Sequence, residues 1–234
     1  MKQITKRNIA ILIAATALIQ GATGAFAKPK AKASTTVSYS IIHAIPAGYG
    51  ADVVDIYANG ALVFDNAAPG TLKSITTARG TLALAIYGNG VIPGPSTTPL
   101  LSATPLYLAS GSQISFVAHL TEDEKPKLTT YRNMVTQAGA KKSWLTVRHI
   151  AAAPAVNVRI DGADRFMPLS NTMERKRTLA FGNHTVDAVL PNTTTVVVGP
   201  ANVNVQKNIN TIIYIWGAKS KNNLAILKQE ITTK

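Results

Sequence analysis

The sequence predicts an all-β protein made of two antiparallel β-sandwiches in tandem behind a cleaved signal peptide. Three observations carry that expectation. Val, Ile, Thr and Tyr alternate with polar residues in short runs, the period of a strand with one buried face. Gly, Pro, Asn or Asp breaks the runs at intervals suited to sandwich turns, and no long helical stripe intervenes. With 46% hydrophobic against 15% charged residues, the 234-residue chain has enough apolar material for a large core and lacks the composition of a disordered one.

The elements follow in chain order. In residues 1–27, Lys2, Lys6 and Arg7 precede the apolar run Ile9–Ile19, and Ala25-Phe26-Ala27 supplies small residues for signal cleavage. Such a run makes roughly 16 Å of helix, about half a hydrocarbon core, which is too short for a span. The expectation is export, to a periplasmic or secreted, cell-surface-associated location. Residues 28–35 read as a basic flexible leader through Lys28, Lys30 and Lys32. No later stretch is long and apolar enough for a transmembrane segment.

Residues 36–137 form the expected first sandwich, with strands near 37–43, 53–58, 61–64, 72–77, 82–87, 100–108, 113–120 and 128–132. Asn59-Gly60 between two of them is a hairpin signal, because a type I′ turn needs positive φ at both central positions. Residues 138–143 read as a linker, and 144–234 as a second, basic sandwich.

The second half repeats the first. His43 and Pro46, then Asp55 and Asn59-Gly60, parallel His149 and Pro154, then Asn157 and Asp161-Gly162. Gly60 and Gly162 are 102 positions apart, and so are Gly80 and Gly182. The segment His43-Ala44-Ile45-Pro46 followed by Val54-Asp55-Ile56-Tyr57-Ala58-Asn59-Gly60 resembles the start of the bacterial domain of unknown function 4397. The second copy resembles it less closely, since Asn157 replaces the Asp and Arg159 the Tyr. The resemblance implies a secreted or envelope-associated Ig-like sandwich, often in tandem, with no established catalytic activity.

The residues themselves point away from an enzyme. No cysteine is present, which excludes Cys nucleophiles, Cys-ligated metal sites and a disulfide framework. His43 and His149 hold equivalent positions at the ends of first strands, where each imidazole is expected to hydrogen-bond across to the strand carrying Asp55 or Asn157. Two equivalent positions in separate repeats do not make a metal dyad. Glu122-Asp123-Glu124 reads as a solvated hairpin tip, and no phosphate loop or G-x-S-x-G elbow occurs. Neither a cofactor nor a metal is expected. The Pro-rich connection from Gly88 to Pro99 is the best candidate for a functional loop.

Charge is the strongest functional signal. The chain carries +13, and its positive field lies in the C-terminal half: residues 33–139 hold five basic and six acidic residues, 140–234 thirteen and five. Lys141, Lys142, Arg159, Arg165, Arg175, Lys176 and Arg177 are candidate polyanion contacts, with Arg148 in the same basic set. The sequence therefore suggests a non-enzymatic cell-envelope or extracellular binding module. Its expected partner is an anionic envelope polymer or another surface protein, with no specific nucleic acid recognition. Two alternatives stay open: a structural subunit of an extracellular fibre or matrix, and an accessory domain for cell-wall polymer processing. The oligomeric state is not determined by the sequence.

Overall fold

Residues 35–234 are described by the computed structural model; the expected signal (1–27) and the leader, apart from its last residue, lie outside the described residues. The first repeat contributes β1 (Thr36–Ala44), β2 (Val54–Ala58), β3 (Ala61–Ala67), β4 (Thr71–Ala78), β5 (Gly80–Leu82), β6 (Leu84–Gly88), β7 (Leu101–Ser102), β8 (Leu106–Leu108), β9 (Gln113–Leu120) and β10 (Pro126–Arg132). The second contributes β11 (Lys142–His149), β12 (Val156–Ile160), β13 (Ala163–Leu169), β14 (Glu174–Ala180), β15 (Gly182–Val189), β16 (Val196–Val205), β17 (Ile209–Trp216) and β18 (Ala225–Thr232). A single 3-10 turn, η1 (Lys219–Lys221), lies between the last two strands.

The sheets run β10-β9-β1-β4 and β3-β2-β6-β7 in the first repeat, with a small β5-β8 pair beside them. In the second they run β14-β11-β17-β18 and β13-β12-β15-β16. Moving from one repeat to the other, β1 corresponds to β11, β4 to β14, β9 to β17 and β10 to β18, so the strand order is the same. The hairpin turns set this up: φ is 49° and 82° at Asn59-Gly60 and 52° and 74° at Asp161-Gly162, positive at both positions as a type I′ turn demands.

Two differences from the sequence reading have local causes. The expected strand over 82–87 divides at Ala83, because the Asn59 side chain accepts from the Ala83 N–H at 2.8 Å and donates to the Thr81 carbonyl at 3.0 Å. Those are groups a continuous ladder would use. The expected strand over 100–108 divides at Pro105, which has no N–H to give. Pairing is antiparallel except between β1 and β9 and between β11 and β17, which are parallel. Period-2 alternation is the same in both arrangements, so the sequence could not separate them.

In each repeat the two large sheets enclose a core. In the first it is built on Tyr39, Ile41, Ile56, Ile86, Phe116 and their neighbours, in the second on Leu145, Val147, Val158, Phe166 and Ile213. A third buried cluster, comprising Ile42, Ala44, Val117, Tyr131, Ile150, Ile212, Tyr214 and Ile231, is drawn from both repeats. It forms a seam in which the outer face of the β1 sheet meets the outer face of the β11 sheet. Central strands β1, β9, β11 and β17 are thus covered on both sides, which explains their nearly continuous apolar sequences.

Candidate anion-binding surface

The basic residues divide by the elements that carry them. Strand β14 is the outermost strand of its sheet, paired only with β11. Arg175 lies opposite Val147 and Arg177 opposite Leu145. Both partners belong to the core, so the arginines take the core-facing side of β14 at its exposed rim. Lys176 and Glu174 take the opposite side, where Lys176 Nζ sits 2.7 Å from Glu174 Oε1. Arg165 is exposed on β13, the edge of the facing sheet on the same side of the sandwich. Lys141 and Lys142 are exposed at the start of β11, where Lys142 faces Ala180 at the far end of β14.

Two members of the candidate set are already ion-paired. Arg159 forms a bidentate pair with Asp187, Nε to Oδ1 and Nη2 to Oδ2, each at 2.7 Å. That hydrogen bonding raises the guanidinium pKa further. Lys176 is held by Glu174. Lys141, Lys142, Arg165, Arg175 and Arg177 have no carboxylate partner within ion-pair distance among the described residues. Arg148 leaves the surface altogether and is fully buried in the seam. Its Nε donates to Glu174 Oε2 at 2.7 Å, Nη1 to the Tyr214 hydroxyl at 2.6 Å and Nη2 to Asn133 Oδ1 at 2.9 Å. The Tyr131 ring lies 4.3 Å from its guanidinium carbon.

The 102-residue offset exposes a contrast that the sequence reading missed. On one side of the first sandwich the edges of the two sheets leave an opening. In the first repeat it is a groove of about 360 Å³ lined by Tyr39, Val63, Ile75, Leu82 and Leu108 among others. The positions equivalent to Val63 and Ile75 are Arg165 and Arg177. The edge positions that hold Val63 and Ile75 beside Arg79 in the first repeat therefore hold two arginines in the second. The same offset that revealed the repeat could have revealed this pairing.

The shared motif is structural. His43 Nε2 donates to the Ala51 carbonyl at 2.7 Å and His149 Nε2 to the Pro154 carbonyl at 3.0 Å. These partners lie in the loops following β1 and β11, not on the strands of Asp55 and Asn157, because each loop folds back over its ring. Burial pushes both imidazoles below their ordinary pKa and outweighs the carbonyl contacts. Asp55 is buried and accepts from the Asn66 N–H at 2.9 Å and the Gly90 N–H at 2.7 Å. It thereby anchors the Pro-rich connection, on which Ile92 is 81% exposed. Asn157 is half-buried on β12; Pro46 is buried. Asp161 accepts from the Thr185 N–H and contacts His184 Nδ1 at 2.7 Å. The acidic tip is only partly solvated: Glu122 and Asp123 are exposed, while Glu124 accepts from the Tyr49 hydroxyl at 3.0 Å. Among the described residues no three His, Cys, Asp or Glu side chains gather as metal ligands. Nor is any helix among them long and apolar enough to cross a membrane.

Comparison with known proteins gives one family. A family described as Domain of unknown function (DUF4397) matches residues 38–159. No curated protein matches the chain. Among solved structures, a candidate cell adhesion protein from Bacteroides ovatus is 10% identical, with 87% of this chain and 99% of that one covered and a TM-score of 0.25. A leucine-rich repeat protein from Bacteroides thetaiotaomicron is also 10% identical, with 78% of this chain and 26% of that one covered and a TM-score of 0.19.

Proposed function

This chain belongs to the DUF4397 family of domains of unknown function, and from that premise we propose that it is a non-enzymatic, exported interaction module whose second repeat holds an anionic envelope polymer. The observation that carries the reading is the basic edge formed by the exposed Arg165 on β13 and Arg175 and Arg177 on β14. These three guanidiniums rim the same side of one sandwich, and none has a carboxylate within ion-pair distance among the described residues. Guanidinium forks match phosphate and carboxylate oxygens in pairs. Nothing in the arrangement reads base edges or a fixed sugar shape, so the expected selectivity is for charge density. Lys141 and Lys142 extend the positive field along β11.

The test is a salt titration of the whole exported chain against lipopolysaccharide, teichoic acid and DNA. Each contact to a phosphate releases counterions, so log affinity should fall with log salt by roughly 0.9 per contact. Replacing Arg165, Arg175 and Arg177 by Ala should lower that slope by about 3 for every polymer. Arg159→Ala should leave it unchanged, because Asp187 already holds that charge. A triple variant that binds like the parent would overturn the proposal.

A further inference from the structure

The two repeats differ at one sheet edge. β4 pairs with β1 from Thr36 opposite Ala78 to His43 opposite Thr71, and no described strand pairs with its other side. The Arg79 N–H donates to the Thr35 carbonyl at 3.1 Å. By antiparallel alternation the backbone groups of Leu72, Ser74, Thr76 and Ala78 are therefore turned outward. Such an edge is a template for another strand, and proteins blunt it with charge, proline, bulges or shortness.

The other edges of the four-stranded sheets carry these devices. β7 has two residues. β3 and β13 are both bulged, and they carry Asp65 and Arg165 respectively. β10 has Pro126, Lys127 and Arg132, β14 has Arg175, Lys176 and Arg177, β16 has Pro200, and β18 has Lys228 and Glu230. β4 has eight residues, neither proline nor bulge, and one charge. That charge, Lys73, lies with Nζ 5.4 Å above the Phe64 ring.

We propose that β4 pairs with β4 of a second copy of this chain, antiparallel about Ile75, to form a closed dimer through the first repeats. This register is self-complementary: Ile75 meets Ile75, Lys73 faces Thr77 and Ser74 faces Thr76, so no like charges are opposed. Its hydrogen-bonded pairs use the outward groups of Ser74 with Thr76 and of Leu72 with Ala78. Lys73, Ile75 and Thr77 share the core-facing side, since their β1 partners Ile41, Tyr39 and Val37 are core residues. The second copy's Ile75 thus meets this copy's Ile75 at the rim of the groove lined by Tyr39, Val63, Arg79 and Leu108.

Charge selects the same approach. Residues 33–139 are nearly neutral, so copies meet there with little repulsion, whereas pairing through β14 would bring Arg175 and Arg177 of two copies together. Because one edge serves both partners, the contact closes at two copies and does not propagate into a fibre.

Sedimentation velocity on the whole exported chain across micromolar concentrations tests this, with Ile75→Arg and Thr76→Pro as variants. Ile75→Arg installs the residue that guards β14. Thr76→Pro removes an outward N–H and leaves the ladder to β1 intact, so it should fold. The parent should approach the mass of two chains with rising concentration, and both variants should stay at one with unchanged circular dichroism. Amide exchange at Leu72, Ser74, Thr76 and Ala78 should slow in the parent as the dimer forms. A parent that remains at one chain, a dimer that survives both variants, or a mass that grows beyond two would overturn the proposal. The Arg165, Arg175 and Arg177 triple variant should dimerise like the parent, which separates this test from that of anion binding.

Discussion

Arg148 offers the sharpest test of how the repeats are joined. Repeat equivalence places Arg148 where the first repeat has Ile42, and Glu174 where it has Leu72; both pairs are directly opposed in their ladders. Arg148→Ile deletes a fully buried guanidinium with three donor contacts and leaves Glu174 at the seam. Breaking a buried charge pair in this way costs about 3–5 kcal/mol. Lys176 still holds the orphaned carboxylate, which places the expected loss near the low end, about 3 kcal/mol. Adding Glu174→Leu recreates the apolar pair of the first repeat and should recover about 2 kcal/mol, since replacing both members of a buried pair is far milder than removing one. The remaining loss of about 1 kcal/mol reflects the guanidinium hydrogen bonds lost at Asn133 and Tyr214, which keep Ser115 and Gln229 as partners. Urea unfolding followed through Trp144 and Trp216 would measure both variants. A single substitution costing under about 1 kcal/mol, the range of exposed pairs, would refute the reasoning. So would a double variant no more stable than the single.

Further outcomes follow from the same contacts. Burial pushes the His119 imidazolium down to about 4 and lowers His43 and His149 as well. The native state therefore binds these protons more weakly than the unfolded chain. Stability should be full above about pH 6.5 and fall as pH drops toward 4, by about 1.4 kcal/mol per pH unit for His119, with His43 and His149 adding losses of the same sign. His119→Gln should flatten that slope by one proton in denaturation series at several pH values. Gly60→Ala should cost about 1 kcal/mol, because φ is 82° and nothing lies within 4 Å of the added methyl; thermal unfolding would check it. Limited proteolysis should nick the exposed segment Gly139–Lys142. Gel filtration should then find the fragments still associated, since Tyr131 donates to the Thr172 carbonyl and Ser115 to Gln229 across the seam.

The sequence was informative where a residue type has one structural use. Asn59-Gly60 and Asp161-Gly162 specified turns through their tolerance of positive φ, and alternation located most strands to within a few residues. It was silent where the outcome depends on what lies across space. Arg148 reads as one more basic residue until Tyr131, Asn133 and Tyr214 are brought around it. Arg159 and Lys176 look equivalent to Arg175 and Arg177 until Asp187 and Glu174 are placed beside them. The histidine partners were misread for a related reason: the loop that folds over each ring has no periodicity to announce its path. Parallel pairing of the central strands was hidden because it leaves the same inside–outside pattern.

The unequal chemistry of the seam works as an address. Two sandwiches with like faces could exchange places, first repeat with first repeat, between molecules at high concentration. Arg148 prevents that exchange from being neutral, because its guanidinium is satisfied by Asn133 and the Tyr131 ring, which the first repeat supplies and the second replaces with Ile231 and Gln229. A second repeat docked on another second repeat would bury two guanidiniums without those acceptors, a cost of several kcal/mol. The short connection between the repeats raises the local concentration of the right neighbour. Each chain is thereby directed to fold upon itself, which leaves its outer edges as the surfaces available to others.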